Sequence, residues 1–333
     1  LASPGVIAFL RKDPTPDMNI TRRQLVQLAV AAPLSRLAGQ TPAIPPMEEL
    51  WGGPVVDCHH HMRRGEQNIV HMNGCGVSNA MMLARANPAE DIKAIDAQFP
   101  GRVLGWFAGS NIAAPDAEEV LTKAVKSGAI GLGELKFHVE ASGPELRRMY
   151  ALAAELQVPI LVHFQEVPHT PTEGVFATGF KNFEAILKAY PKTTFIGHAD
   201  AFWANISADY ANQDAYPAGK IKPGGVTDKL LSDYGNLYGD LAANSGNNAL
   251  WRDPEFTPGF LQRHRTRLIF GSDCSCTDGK GGGISQAGNP GASRLAGKCV
   301  ARETLGLLKK TVSAAEFKRL TWDNAHRVYK LKA

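Results

Sequence analysis

From about residue 53 onward, short apolar runs rich in Val, Ile, Leu and Phe alternate with longer stretches whose apolar residues recur every three or four positions. The first kind reads as strands and the second as helices. Strands are predicted at 55–61, 79–83, 103–107, 130–137, 159–163, 194–198, 237–241 and 268–273, with helices between them at 117–127, 144–156 and 182–189, among others. Pro115, Pro144 and Pro254 stand near helix starts, where a missing N–H costs little. Eight strand–helix repeats fit an α/β fold of the (β/α)8 TIM-barrel type, a single catalytic domain at 47–333. The competing open doubly wound sheet calls for a glycine-rich phosphate turn after the first strand. Here that turn is His61-Met62-Arg63-Arg64, so the barrel is preferred.

Residues 1–46 break the alternation and form an N-terminal extension. Thr21-Arg22-Arg23-Gln24-Leu25 precedes an apolar run ending at Leu34 and a Pro-rich exit to Pro46. This is similar to a twin-arginine signal peptide, with Leu25-Val26 where Phe-Leu is preferred, and it sets the expectation of an exported, periplasmic protein. A short amphipathic helix is the plainer alternative. Met18 just ahead of the arginine pair points to a start there, with 1–17 an over-extended reading frame.

Charge adds little. The net charge of +4 is not gathered into a basic run, so neither nucleic acid nor a membrane surface is an expected partner. No stretch reaches the roughly 18 apolar residues needed to cross a bilayer. A small-molecule substrate is the expected partner, and a homo-oligomer is compatible with the composition. Five cysteines, an odd number without paired spacing, do not read as a disulfide framework. Cys274-x-Cys276 has a spacing that soft metals accept, but reads first as ordinary loop thiols. Two connections are long. That at 199–234 carries Phe202, Trp203, Tyr210 and Tyr216, and that at 275–297 carries Gly279-Lys280-Gly281-Gly282-Gly283. Both leave carboxyl ends of strands, where barrel active sites lie, and suit a substrate lid. The glycine run lacks the spacing of a phosphate loop.

The chemistry is concentrated at strand ends. In Val55-Val56-Asp57-Cys58-His59-His60-His61, alternation predicts Asp57, His59 and His61 on one face, with Cys58 and His60 on the other. Glu134, Lys136 and His138 end the fourth strand on one face. His163, His198 and Asp273 end the fifth, sixth and eighth. Any one of these reads as a satisfied buried polar group. Together they place four imidazoles, two carboxylates and an ammonium at one barrel mouth, where unpaired charge is costly. A divalent metal is the simplest common partner. His60 reads as packed behind the site, and His71, His169, His264 and His326 as surface or helix residues.

From about Val55 to Leu331 the chain resembles the amidohydrolase superfamily, specifically its amidohydrolase-related branch. The resemblance rests on Asp57-Cys58-His59-His60-His61, His163, His198, Gly271-Ser272-Asp273 and the closing Trp322-Asp323-Asn324-Ala325-His326-Arg327. It implies that His59, His61, His163 and Asp273 ligate metal, with His198 a second-metal ligand or an acid–base group. Asp273 would also take the proton of an attacking water. The branch holds lactonases and other small-molecule hydrolases, a hydratase and non-oxidative decarboxylases. The expected activity is therefore metal-dependent hydrolysis of an ester, lactone or amide. Decarboxylation or hydration of an unsaturated or aromatic acid is the alternative. A binding protein on a decayed barrel is disfavoured because no expected ligand is missing, and a TatD-like nuclease would want a basic mouth. The implied cofactor is one or two divalent ions, zinc being the first choice. In binuclear relatives a strand-four Glu or a carboxylated Lys bridges the ions. Leu132-Gly133-Glu134-Leu135 resembles the first kind, which makes Glu134 the expected bridge, with His163 and His198 on the second ion. Lys136, His138 and Arg63 are expected to bind substrate, Arg63 as a fork for a carboxylate.

Overall fold

Eight strands hydrogen-bond in parallel and in chain order: β1 Val56–His61, β2 Asn79–Ala84, β3 Val103–Ala108, β4 Gly131–Leu135, β5 Ile160–His163, β6 Phe195–His198, β7 Leu237–Asp240 and β8 Leu268–Ile269. They belong to a computed structural model that describes residues 44–84, 88–136, 138–169, 172–283 and 290–331. The twin-arginine segment lies outside the described residues. Helices join successive strands, the longest being Pro144–Leu156, whose proline stands in its first turn as expected. The sheet closes on itself: Cys58 N–H donates to the Phe270 carbonyl at 3.1 Å and Asp273 N–H to the His59 carbonyl at 2.8 Å. Among the described residues no helix is long and apolar enough to cross a membrane.

Two apolar layers hold the barrel. One face of the strands (Val56, Met81, Leu83, Phe107, Leu161, Ile196 and Ile269) fills the interior together with Val328 and Tyr329 of the closing segment. The other face packs on the helices in a larger cluster. Phe107 is fully buried, with its ring edge-on to Tyr329 at 5.4 Å. Truncating it to alanine would cost about 3–5 kcal/mol.

Three sequence expectations change. Strict alternation along β1 fails because the register shifts between Asp57 and His60. Cys58 joins Val56 in the interior layer. Asp57 turns instead to the chain after β8, accepting from Ser272 N at 2.7 Å and Ser272 Oγ at 2.5 Å. Strand eight is short: pairing with β7 stops at Ile269, and beyond it Phe270 and Asp273 bond to the backbone of β1 while Ser272 binds the Asp57 carboxylate. In the connection at 199–234, three of the four named aromatics are core rather than lid, and Tyr216 borders the mouth. Phe202, Trp203 and Tyr210 are buried core, and Trp203 Nε1 donates to the Asp240 carbonyl at 2.8 Å. In the second long connection, the Asp278 carboxylate accepts from the N–H groups of Lys280, Gly281 and Gly282 at 2.8, 3.1 and 2.9 Å. The glycine turn thus wraps its own anion, which leaves those N–H groups unavailable to a phosphate.

Candidate metal centre

Five strands bring their carboxyl ends to one point. His59 and His61 come from β1, Glu134 from β4, His163 from β5 and His198 from β6, and Asp273 follows β8. Glu134 stands in the middle. Its Oε2 lies 3.5 Å from His61 Nε2 and 3.9 Å from His59 Nε2. Its Oε1 contacts His163 Nδ1 and lies 3.7 Å from His198 Nε2. Asp273 completes the ring, with Oδ1 3.2 Å from His61 Nε2 and 3.9 Å from His59 Nε2, and Oδ2 3.6 Å from His198 Nε2.

The side chains behind these groups fix which ring nitrogen faces inward. Asp240, at the end of β7 and fully enclosed, sits 2.6 Å from His59 Nδ1 and 3.1 Å from His198 Nδ1. It hydrogen-bonds His59 through Nδ1 and forms an ion pair with His198, which turns both Nε2 atoms to the centre. His163 Nε2 instead meets Gln165 Oε1 at 2.8 Å, leaving Nδ1 toward Glu134. Gly271 makes the approach of His59 and Asp240 feasible: a Cβ there would stand 2.5 Å from Asp240 Oδ1 and 2.7 Å from His59 Cβ.

The donors suit a divalent ion. His59 Nε2 and His198 Nε2 are buried and have no hydrogen-bond partner. Their separations from the carboxylate oxygens resemble those of neighbouring ligands, because two donors about 2.1 Å from one tetrahedral ion stand about 3.4 Å apart. Three donor triads of this kind overlap at the mouth: His59–His61–Glu134, His59–His198–Asp273 and Glu134–His163–His198. Without an ion, protons are drawn into its place. Burial alone would depress His61 and His198, but adjoining carboxylates outweigh it, Asp273 and Glu134 for His61, Asp240 and Asp273 for His198, and push each to about 10. Burial would conversely raise Glu134 and Asp273, yet the surrounding imidazoles hold both carboxyls below their ordinary range.

Two cavities open beside the centre, one of about 380 Å³ bordered by His61, Ser110, Asn111 and Glu134, the other of about 160 Å³ bordered by His163, Tyr216 and Asp273. Lys136 lines both. Its ammonium is 3.3 Å from Glu173 and 5.3 Å from the centre of the Phe176 ring, so it pairs across the mouth rather than with Glu134.

Other expected residues fall elsewhere. Arg63 does not face either cavity: its guanidinium donates to the carbonyls of Cys274 and Cys276, the second at 2.6 Å, and so holds the chain after Asp273. His138 stacks on Phe176 with centroids 3.9 Å apart and is bound to the Val175 carbonyl, away from the cluster around Glu134. His71 and His264 are buried rather than superficial, the latter 2.5 Å from Asp228. His169 reaches Asp200 at 2.9 Å and borders the smaller cavity. Asp240 went unseen in the sequence, although Gly239-Asp240 ends a strand as Gly197-His198 does, and Gly197 pairs with Gly239.

Such a barrel, gathering imidazoles and carboxylates at its strand ends, defines a class of enzyme that works with bound metal. A family model described as Amidohydrolase matches residues 77–331, and the chain belongs to that family. The match begins after β1, so His59 and His61 are placed by the structure. Solved structures agree on the fold. Dihydroorotase from Campylobacter jejuni superposes with a TM-score of 0.51 at 15% identity over 84% of each chain. A probable 2-pyrone-4,6-dicarboxylic acid hydrolase from Acinetobacter baumannii, holding citric acid, gives 0.51 at 12% identity over 84% of this chain and 100% of that one. The manganese complex of 5-carboxyvanillate decarboxylase from Novosphingobium aromaticivorans gives 0.50 at 12% identity over 86% and 98%. No curated protein matches the sequence.

Proposed function

We propose that the enzyme hydrolyses a small organic substrate at an ester, lactone or amide bond, using two divalent ions, zinc by preference, held at the barrel mouth. The observation that carries this reading is Glu134, whose two oxygens face different histidine pairs, His59 with His61 and His163 with His198. A carboxylate so placed is suited to bridging, and paired ions suit addition of water to an acyl carbon. When bound, such ions acidify water and polarise a carbonyl oxygen.

The chain's own residues supply the rest. Asp273, kept ionised by the imidazoles and open to the mouth, accepts the proton of the attacking water and returns it to the leaving group. Asp240 holds His59 by a hydrogen bond at Nδ1 and His198 by an ion pair, which keeps both rings turned to the mouth. Lys136, on the wall common to both cavities, receives a substrate carboxylate, for which Glu173 is the resting partner. The decarboxylase alternative keeps the same ligands and needs a proton delivered to carbon. The dual-facing Glu134 favours hydrolysis over it.

Metal analysis of purified protein, combined with a screen of lactones, esters, amides and aromatic acids, tests the reading. Glu134→Ala should lower the metal content by about one ion per chain, by the stoichiometry of a two-metal site, while Lys136→Ala keeps metal and raises KM. If Lys136→Ala loses metal and Glu134→Ala does not, a carboxylated lysine is the bridge. Release of CO2 without uptake of water would replace hydrolysis by decarboxylation. We further propose export through the Arg22-Arg23 segment; retention of an Arg22→Lys, Arg23→Lys variant in the cytoplasm is the expected result, and unchanged export would refute it.

A further inference from the structure

A second group of ligand-type side chains lies outside the mouth. His71, on the helix Gln67–Cys75, meets Cys274 and Cys276 of the loop after β8, and Cys299 at the start of the helix Val300–Thr311. One donor atom from each lies within 4.8 Å of every other. All four residues are buried, with His71 and Cys276 fully enclosed and Cys299 and Cys274 at 2% and 6% exposure. Cys274 Sγ stands 3.3 Å from Cys276 Sγ and 3.7 Å from Cys299 Sγ.

Neither ordinary packing nor a disulfide accounts for this cluster. His71 Nε2 is buried without a hydrogen-bond partner, an arrangement costly for a polar atom. The sulfurs are well beyond the roughly 2.05 Å of a disulfide bond, and all five cysteines are free. Three thiolates and an imidazole are, by contrast, a complete tetrahedral donor set for zinc, whose ligand sulfurs stand roughly 3.8 Å apart when each bond is about 2.3 Å. The charge also suits a buried site. Zinc with three thiolates carries one net negative charge, and the Arg63 guanidinium lies on the Cys274 and Cys276 carbonyls beside it.

The backbone is shaped to bring these donors together. Gly74 and Gly279 allow the helix bearing His71 to touch the loop bearing two of the cysteines. A Cβ on Gly74 would fall 1.8 Å from the Asp278 carbonyl oxygen, and one on Gly279 2.2 Å from that of His71. Arg302, one turn beyond Cys299, donates to the Gly74 carbonyl at 2.8 Å.

We propose that His71, Cys274, Cys276 and Cys299 form a structural zinc site of the Cys3His type, separate from the catalytic mouth. All four positions of the ion are filled by protein, which leaves none for substrate and is the mark of a structural site. The ion ties three segments distant in sequence: the helix after β1, the loop after β8 and the helix after that loop. Cys274 directly follows Asp273, so the site anchors the segment on which the proposed proton acceptor rides.

The test uses the full-length protein, stripped of metal under reducing conditions and reloaded with Co(II). Thiolate-to-cobalt charge-transfer absorption is expected in the native chain and reports the cysteine cluster, because among the described residues no cysteine joins the donor groups at the mouth. It should persist in His163→Ala, where the mouth is damaged, and vanish in Cys276→Ser and Cys299→Ser. Zinc should shield Cys274, Cys276 and Cys299 from iodoacetamide in the native protein, read by mass spectrometry, and should fall by about one ion per chain in Cys299→Ser. If the serine variants fail to fold, the cobalt spectrum and the shielding in the native chain decide the matter. Absence of the sulfur band together with equal alkylation with and without zinc would falsify the proposal. So would a disulfide among these cysteines in protein purified under reducing conditions, or iron with acid-labile sulfide in place of zinc.

Discussion

The barrel mouth and the cysteine pocket behind it are built from contrasting materials. At the mouth, imidazoles meet carboxylates, and both His61 and Asp273 are partly open to solvent, with side-chain exposures of 50% and 28%. In the pocket, one imidazole meets three thiols, sealed by the helices and the loop after β8. Oxygen and nitrogen donors with open positions suit catalysis and exchange; sulfur donors in a closed set suit permanence. The two clusters nevertheless share a single short segment, in which Asp273 serves the first and Cys274 the second. Asp273 and Cys274, neighbours in sequence, thus fall in different clusters, with Asp273 in the left-handed region at φ +43°.

Graded removal of metal should separate the two regions most strongly. A mild chelator should reduce turnover to background while the cobalt–thiolate absorption survives, and zinc or manganese should restore turnover. Simultaneous loss of both signals would merge the two sites into one. The next largest effect belongs to Asp273→Asn, which should lower kcat by roughly two orders of magnitude or more, the usual worth of a positioned acid–base group. An amide can offer oxygen to an ion but cannot accept a proton at neutral pH. Near-normal kcat would transfer the proton role to His198. Asp240→Asn acts one step further back. It should weaken metal retention at the mouth by about 10–100-fold, leaving the sulfur-bound ion in place; equal retention in both clusters would show that Asp240 orients nothing.

The smallest effect is a slope with pH. In the metal-free protein His61 and His198 are raised from the usual 6.5 to about 10 by adjoining carboxylates, against burial. Their protonated forms therefore support folding fully below pH 6.5, and that support is lost as pH rises to 10. The melting temperature of metal-free protein should fall across this window. Loaded protein, whose mouth imidazoles hold an ion instead of protons, should not follow it. Identical slopes in both forms would remove proton-for-ion exchange from the account.

Much of this is legible in the sequence. The alternation of apolar runs with three-and-four spacing located the strands, because a barrel strand buried on both faces leaves a run that few other elements leave. The ligand positions His59, His61, Glu134, His163, His198 and Asp273 were visible as polar residues ending such runs, and the structure brings all six together. Their roles as ligands remain the proposal made above. Local conformation was harder to read. The register of β1 against β2 shifts between Asp57 and His60, and Asp57 pairs with Ser272; nothing in a stretch of seven residues announces a partner 215 positions away. Arg63 looked like a substrate fork because only its place after β1 could be seen, not the carbonyls it would meet. The cysteine pocket was the least legible. Its donors come from positions 71, 274, 276 and 299, and the spacing of Cys274 and Cys276 alone suits an ordinary loop equally well.

Asp240 has a consequence for anyone who would retune this enzyme. One carboxylate serves as counter-ion to two imidazoles that the proposed bridge assigns to different ions. Any substitution that sharpens the basicity of His59 must also alter that of His198. If two ions are held as proposed, Asp240 would yoke their Lewis acidities and occupancies, because ordering it around one histidine would pre-align the other. Engineering toward a single-metal, lyase-like catalyst would have to break that yoke at Asp240 before any change to Glu134 could act on one ion alone.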